Sequence, residues 1–169
     1  MTLIDEAFHQ LTDGVLERAE ELFSQVLLQD PADARAYRGR GFARLQLKAY
    51  RAAHQDFVQA HALDPEDLES WSGMAMSLAM DHEIYPAITV FEELLAKHPR
   101  YVKGYIQLAS LYFRLCLIAK GRTQLETAMT CRPTAAERKL IEQMLTEQKQ
   151  LDRNRYYRPD FEALQQKQP

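Results

Sequence analysis

The side chains best suited to catalysis or metal binding are five histidines and two cysteines, and their spacing supports neither function. The histidines are His9, His54, His61, His82 and His98. Only His54 and His61 are expected on one helix face, and seven helical residues place them roughly 10 Å apart. That separation is too long for two ligands of one metal ion. The chain also has no CxxC, GxxxxGKS/T, GxSxG or HExxH motif. We therefore expect no enzyme activity, no metal and no cofactor.

The two cysteines, Cys116 and Cys131, are separated by a segment that is expected to be helical. A helix of that length spans roughly 20 Å. A disulfide needs Cα atoms within about 7 Å. We therefore expect two free thiols.

Charged residues are distributed unevenly along the first third of the chain. Residues 1–33 are rich in acids and contain only Arg18 as a base, whereas arginines are frequent from residue 35 to residue 51. We expect Arg40 and Arg44 to pair with Glu6 or its neighbours, and the alternative is that an anionic partner docks there. Because the net charge is −3 and neighbouring carboxylates can neutralise the arginines, we do not expect nucleic-acid binding.

The composition is that of a soluble globular protein. Apolar residues make up 46% of the 169 residues and charged residues 27%. No apolar run approaches the roughly 20 residues that a membrane-spanning helix needs. The first ten residues have acids where a signal peptide has bases. The sequence therefore predicts one domain or a short repeat array, located in the cytoplasm.

The stretch 71–99 shows how the chain is built. Trp71, Ala75 and Leu78 share one face of a helix, and Ala87 and Phe91 begin the apolar stripe of a second helix. The polar residues 81–83 between them are typical of a tight turn. The stretch is therefore predicted to be a helical hairpin, which needs neighbours to cover its apolar stripe.

The same pattern recurs every 34 residues over four periods. The recurring prolines are Pro31, Pro65, Pro99 and Pro133. The recurring large apolar residues are Phe23, Phe57, Phe91 and Leu125. The recurring small residues are Ala19, Ala53, Ala87 and Gly121. A fixed period of this length indicates a solenoid of stacked hairpins.

The pattern resembles the tetratricopeptide repeat (TPR) family, in which a large residue, small packing residues and a closing proline recur with a period of 34. The large residue, here Tyr37, Trp71 or Tyr105, is expected to fill the gap between successive hairpins. The resemblance implies an all-α fold, a right-handed superhelix of four TPR hairpins with a C-terminal capping helix. The implied segments are 1–33 (a divergent first repeat), 34–67, 68–101, 102–133, a capping helix at 134–152 and a basic, aromatic tail at 153–169.

Residues 134–137 form a capping box, Thr-Ala-Ala-Glu, at the start of the predicted capping helix. Terminal helices of this kind cover the last hairpin of a repeat array. Pro159 is expected to open a short last helix from Asp160 to Gln166. The tail has three open alternatives: it frays, folds back on the array, or reaches into a neighbouring molecule.

In the family, the first helix of each hairpin lines a concave groove that binds peptides or helices of partner proteins. The resemblance carries this role to one set of positions. They are Arg35, Arg38, Phe42, Leu45, Ser72, Met76, Met80, Lys103, Ile106, Ser110, Phe113 and Arg114. The floor of this groove is apolar and its sides are basic. We therefore expect a protein partner that is apolar with some acidic residues.

Two other functions remain open at this stage. The chain resembles chaperones of type III secretion translocators in size and groove polarity, without a distinguishing motif. It could also be a self-assembling scaffold, a homo-oligomer joined through the acidic first repeat or the C-terminal tail. A family clamp for a terminal carboxylate is not expected, because Phe42 and Gly73 stand where the clamp has asparagines.

Overall fold

The structure, a computed structural model, describes the backbone of residues 2–156 and the side chains of residues 2–149. This part of the chain forms nine α-helices and no strand. The helices are α1 Leu3–Thr12, α2 Leu16–Gln29, α3 Ala34–Gln46, α4 Tyr50–Leu63, α5 Leu68–Met80, α6 Ile84–Lys97, α7 Val102–Arg114, α8 Ile118–Thr130 and α9 Ala135–Tyr156. The predicted all-α fold is confirmed. The short helix expected at 160–166 lies outside the described residues.

Short turns join α1 to α2, α3 to α4, α5 to α6 and α7 to α8. Each turn holds one residue in the left-handed region, and these residues recur at a spacing of 34: Gly14 (φ 78°), Lys48 (63°), His82 (68°) and Cys116 (58°). Only glycine adopts this conformation without a side-chain penalty. The last three hairpins therefore turn at a small conformational cost.

The first two turns between hairpins begin the next helix with an aspartate. The Asp33 carboxylate accepts the backbone N–H of Ala36 at 2.9 Å, at the start of α3. The Asp67 carboxylate accepts the backbone N–H of Glu69 at 3.3 Å, at the start of α5. Both are N-caps that satisfy otherwise unpaired amides of the first helical turn.

The chain divides into two compact units between Gly104 and Tyr105. In the first unit, α1 to α6 pack in order, each against the next. Its core contains the phenylalanines of the 34-residue pattern, Phe23, Phe57 and Phe91, which are almost fully buried. Each comes from the second helix of a hairpin, and small residues such as Ala7 and Ala75 surround them.

Two glycines make room for the rings of two of these phenylalanines, which pack against the first helix of the following hairpin. A Cβ at Gly39 of α3 would lie 2.3 Å from the nearest ring carbon of Phe23 on α2. A Cβ at Gly73 of α5 would lie 2.5 Å from the nearest ring carbon of Phe57 on α4. Since real Cβ atoms do not approach other carbons so closely, both helices require glycine where the ring crosses them.

The second unit contains most of α7 together with α8 and α9. The Phe113 ring of α7 crosses Gly121 of α8, where a Cβ would lie 2.3 Å from the ring. Leu125 of α8 and Ile141 of α9 are fully buried. At the start of α9, the Glu137 N–H bonds to the Thr134 hydroxyl at 3.3 Å, and the Thr134 N–H bonds to the Glu137 carboxylate at 2.9 Å. The predicted capping box is confirmed.

Candidate protein-binding surface

The first helices of successive hairpins contact each other in the first unit, α1 against α3 and α3 against α5. Of their apolar side chains that are not fully buried, we group six as the first-helix surface. These are Phe8, Leu11, Phe42, Leu45, Met76 and Met80. Met80 is the most accessible of them, with 46% of its surface exposed. Apolar side chains gathered on adjacent helices are typical of a site that a partner covers.

The two aromatic residues of this surface are held by the core behind them. The Phe8 ring packs edge-on against Phe23, with ring centroids 4.9 Å apart. The Phe42 ring packs against Phe57 in the same way at 5.0 Å. Each ring is only partly buried by this contact. The surface therefore combines fixed aromatic edges with the flexible thioethers of Met76 and Met80, which adapt to different apolar shapes.

Large apolar residues are also exposed on second helices, but they are dispersed. Leu28 on α2 is 84% exposed, Leu63 on α4 is 44% exposed and Tyr85 on α6 is 71% exposed. Single exposed apolar residues are ordinary on protein surfaces. These residues supply matched controls for variants of the first-helix surface.

Arg38 of α3 is already paired within the chain. Its guanidinium lies 2.9 Å from the Asp67 carboxylate and 3.7 Å from the Glu69 carboxylate. Asp67 also caps α5, so this contact ties the second hairpin to the third. Arg38 therefore stabilises the packing of the repeats, and its charge is largely compensated before any ligand arrives.

Arg35 lies at the start of the same helix and is exposed. Its guanidinium carbon is 5.7 Å from the centroid of the Phe8 ring on α1, which is a cation–π distance. This contact orients Arg35 beside the first-helix surface.

Arg40 and Arg44 surround one buried carboxylate. Arg40 donates three bonds to Asp56, at 2.7, 3.1 and 3.3 Å, and Arg44 donates one at 2.9 Å. The Asp56 side chain is only 3% exposed. Arg44 also donates to Glu20 of α2 at 2.7 Å. Pairing with a first-repeat acid is confirmed, but the acid is Glu20 rather than Glu6, and Asp56 of the second repeat itself takes most of the bonds.

The remaining predicted groove positions differ in accessibility. Ser72 of α5 is 7% exposed and offers little surface to a ligand, whereas Lys103 at the start of α7 is exposed. In the second unit, Ile106 is 7% exposed and Phe113 is partly buried on Gly121. Ser110 donates its hydroxyl to the Ile106 carbonyl at 3.0 Å, and Arg114 is exposed.

Trp71 of α5 joins the second hairpin to the third. The His61 ring of α4 lies 4.7 Å from it, and the His98 ring at the end of α6 lies 5.9 Å away, edge-on. The Lys97 ammonium lies 4.9 Å from the Trp71 ring centroid. Burial, and secondarily the Lys97 charge, lowers the pKa of His61. The structure thus agrees with the expectation that Trp71 fills the gap between hairpins.

Within the described residues, no group of three or more histidine, cysteine or acidic side chains is placed to hold a metal ion. Both cysteines are free thiols, as expected, with Cys116 exposed and Cys131 partly buried. None of the helices in this part of the chain is long and apolar enough to cross a membrane.

Sequence reasoning missed three features of this region. The glycines at 39 and 73 were not recognised as positions where a phenylalanine ring packs against the helix backbone, although their spacing of 34 places them in the repeat pattern. Asp56 was noted only as the first acid after the arginines, and no periodic pattern marks it as their shared partner. Lys97 and Arg100, which pair with no acid among the described residues, were not distinguished from the paired cations, because a sequence does not show which acid each base reaches.

No family model and no curated protein matches this chain. Solved structures do match it. A thermophilic TPR protein from Thermus thermophilus, TTC0263, is 18% identical with a TM-score of 0.74, over 89% of this chain and 83% of that one. A tetratricopeptide repeat protein from Parabacteroides merdae is 24% identical with a TM-score of 0.73, over 86% of this chain and 58% of that one.

A third similar structure holds a ligand. The second TPR domain of human RPAP3, solved in complex with an HSP70 peptide, is 23% identical with a TM-score of 0.60. The match covers 63% of this chain and 89% of that domain. Identities this low establish the fold alone. Together with the 34-residue register and the hairpins of the structure, they show that this chain has the tetratricopeptide repeat fold.

Proposed function

We propose that this chain is a non-catalytic adaptor that binds a peptide or helix of a partner protein on its first-helix surface. The observation that carries the proposal is the partly exposed apolar set on the adjacent helices α1, α3 and α5. A similar fold, the RPAP3 domain, is solved with a peptide bound. Binding would cover the apolar side chains that the chain itself leaves accessible.

The chemistry of the surface indicates what the partner presents. Met76 and Met80 suit large apolar side chains of more than one shape. Arg35 and Lys103 are exposed near this surface and in the next hairpin, and they favour some acidic residues in the partner. Arg38 contributes less to this preference than the sequence suggested, because Asp67 and Glu69 already pair with it.

The proposal includes the cytoplasmic location and the absence of catalysis expected from the sequence. The self-assembly alternative would need basic residues of one copy to contact the acidic first repeat of another. Arg40 and Arg44 have carboxylates of their own within the chain and are not available to the acidic first repeat of a second copy.

The test begins with affinity capture from the native source, followed by calorimetry with the purified partner. The double variant Met76→Gln/Met80→Gln should weaken binding by about tenfold or more, because each methionine loses apolar burial worth about 1 kcal/mol in the complex. The control Leu28→Gln/Leu63→Gln makes the same chemical change on the second helices and should bind as wild type. Equal affinity of the methionine variant and the control would refute the proposal.

A further inference from the structure

A second candidate binding site lies at the turn that joins the third hairpin to the fourth. A cavity of about 400 Å³ opens there to solvent. Its lining residues are Leu68, Lys97, His98, Pro99, Arg100 and Tyr101, all in the first unit. These residues contribute two permanent cations and aromatic and aliphatic surface, and none of them is a carboxylate.

Among the described residues, every other arginine of the first unit except Arg35 pairs with a carboxylate. Arg38, Arg40, Arg44 and Arg51 each lie within 3.0 Å of a carboxylate oxygen. Among the described residues, Arg100 has no ion-pair partner, and Lys97 contacts only the face of Trp71. Both side chains are exposed. The cavity therefore carries positive charge that no acid in the described part of the chain neutralises.

The repeat register explains why carboxylates are missing here. The two preceding inter-hairpin turns each contain two aspartates, at positions 30 and 33 and at positions 64 and 67. At the corresponding positions of this turn the chain has His98 and Tyr101. Of the three turns, this is the one without an aspartate at either position.

The walls of the cavity are fixed by packing. The Tyr101 ring lies against α7, where a Cβ at Gly104 would be 2.8 Å from its nearest carbon. The His98 ring is held edge-on against Trp71. Pro99 restricts the backbone between them. Ligand binding would therefore need to order only the Lys97 and Arg100 side chains.

We propose that this cavity binds a carboxylate of an acidic, apolar peptide segment, with Lys97 and Arg100 pairing with the carboxylate and Leu68 and Tyr101 contacting an adjacent apolar side chain. The inference rests on the proposed function in that its ligand is a segment of a protein. According to this inference, the acidic residues of the partner contact this turn rather than Arg38. The site lies in the inter-hairpin turn, and none of its lining residues is a position of the family's carboxylate clamp.

The test uses short synthetic peptides and the full chain. The probe is acetyl-Leu-Glu-Glu-Leu-Leu-amide, and its glutamine analogue with an amidated end is the uncharged comparison. Because Trp71 is the only tryptophan and contacts both Lys97 and His98, its fluorescence reports binding. Amide shifts of residues 97–101 in NMR spectra locate the site independently.

The expected result is that the glutamate peptide binds, and that Lys97→Gln/Arg100→Gln weakens it by about tenfold or more, since two charge-assisted contacts are lost. The control Arg138→Gln/Lys139→Gln removes the same charge from exposed positions of α9 and should leave the affinity unchanged. Circular dichroism of both variants checks that the helices remain. A glutamine peptide with a free C-terminal carboxylate decides whether a chain terminus can also supply the carboxylate.

Three results would overturn the inference. They are equal binding of the glutamate and glutamine peptides, wild-type affinity of the Lys97/Arg100 variant, and no binding of the glutamate peptide at about 1 mM. None of them bears on the first-helix surface, because Met76 and Met80 are intact in every protein used. Failure of this site and failure of the proposed function are therefore distinguishable.

Discussion

Replacing Gly73 with alanine should destabilise the protein, although alanine is the better helix former. The added Cβ would lie 2.5, 2.6 and 2.7 Å from three carbons of the Phe57 ring. The ring is fully buried, so it has no free space into which it can move. Overpacking costs about 1–3 kcal/mol, and three contacts this short place the present case in the upper part of that range, at about 2–3 kcal/mol. Alanine returns about 1 kcal/mol of helix propensity. The expected net loss is about 1–2 kcal/mol.

Gly41 provides a matched control against the same ring. A Cβ there would lie 3.0–3.1 Å from Phe57 carbons, a contact that a few tenths of an ångström relieves. Gly41→Ala should therefore change the free energy of unfolding by less than Gly73→Ala. Phe57→Leu should cost stability in the wild-type background but cost less in the Gly73→Ala background, because the smaller side chain makes room for the added Cβ.

Urea unfolding followed by circular dichroism measures these differences. The reasoning is refuted if Gly73→Ala is as stable as wild type or more stable. It is also refuted if the Phe57→Leu and Gly73→Ala effects simply add, since residues in direct contact must couple. Either result would mean that the Phe57 ring does not cross α5 at Gly73.

Three further predictions concern single side chains. Asp56→Asn should reduce the free energy of unfolding by about 3 kcal/mol, because Arg40 and Arg44 lose the buried carboxylate with which both pair. Urea unfolding measures this difference, and a loss below about 1 kcal/mol would contradict it. His82→Gly should raise stability by about 0.5–1 kcal/mol in the same assay, because glycine adopts the left-handed turn without strain, and a destabilised variant would contradict that account. The pKa of His61 is lowered in the folded chain, so the unfolded chain binds a proton at higher pH than the folded chain does. Stability should therefore fall as the pH drops below about 6.5, and His61→Gln should lessen this fall. If the variant leaves the pH profile of the melting temperature unchanged, His61 is not responsible.

The elements of the fold could be predicted because they repeat. The 34-residue register identified the hairpins, the turn at 81–83 and the role of Trp71, since each is a periodic feature that apolar spacing reports directly. The capping box at Thr134 was equally local, because both of its partners lie within four residues of sequence. Features of this kind depend on short spacings that tertiary structure does not rearrange.

The pairing of charges could not be predicted. Several acids were within reach of Arg40 and Arg44, and the structure selects Asp56 and Glu20 rather than Glu6. Arg38, expected at the side of a groove, pairs with Asp67. Long arginine side chains contact residues far away in sequence, so their partners depend on how the hairpins pack.

Packing detail was also hidden, although a signal existed. Gly73 was considered only as the residue replacing a clamp asparagine, yet it repeats Gly39 at the family period and meets the Phe57 ring. A glycine inside a helix is a sign of close approach. Lys97 and Arg100, which have no ion pair within the part of the chain that the structure describes, became distinguishable only when the ion pairs of other cations were known.

The first-helix surface is the central claim, and methionine methyl NMR tests it most directly. The chain has six methionines, of which Met76 and Met80 belong to this surface, while Met129 and Met144 lie on α8 and α9. On titration with the purified partner, the methyl signals of Met76 and Met80 should shift or broaden in proportion to binding, and those of Met129 and Met144 should stay in place. Unchanged Met76 and Met80 signals in a saturated complex would contradict the account.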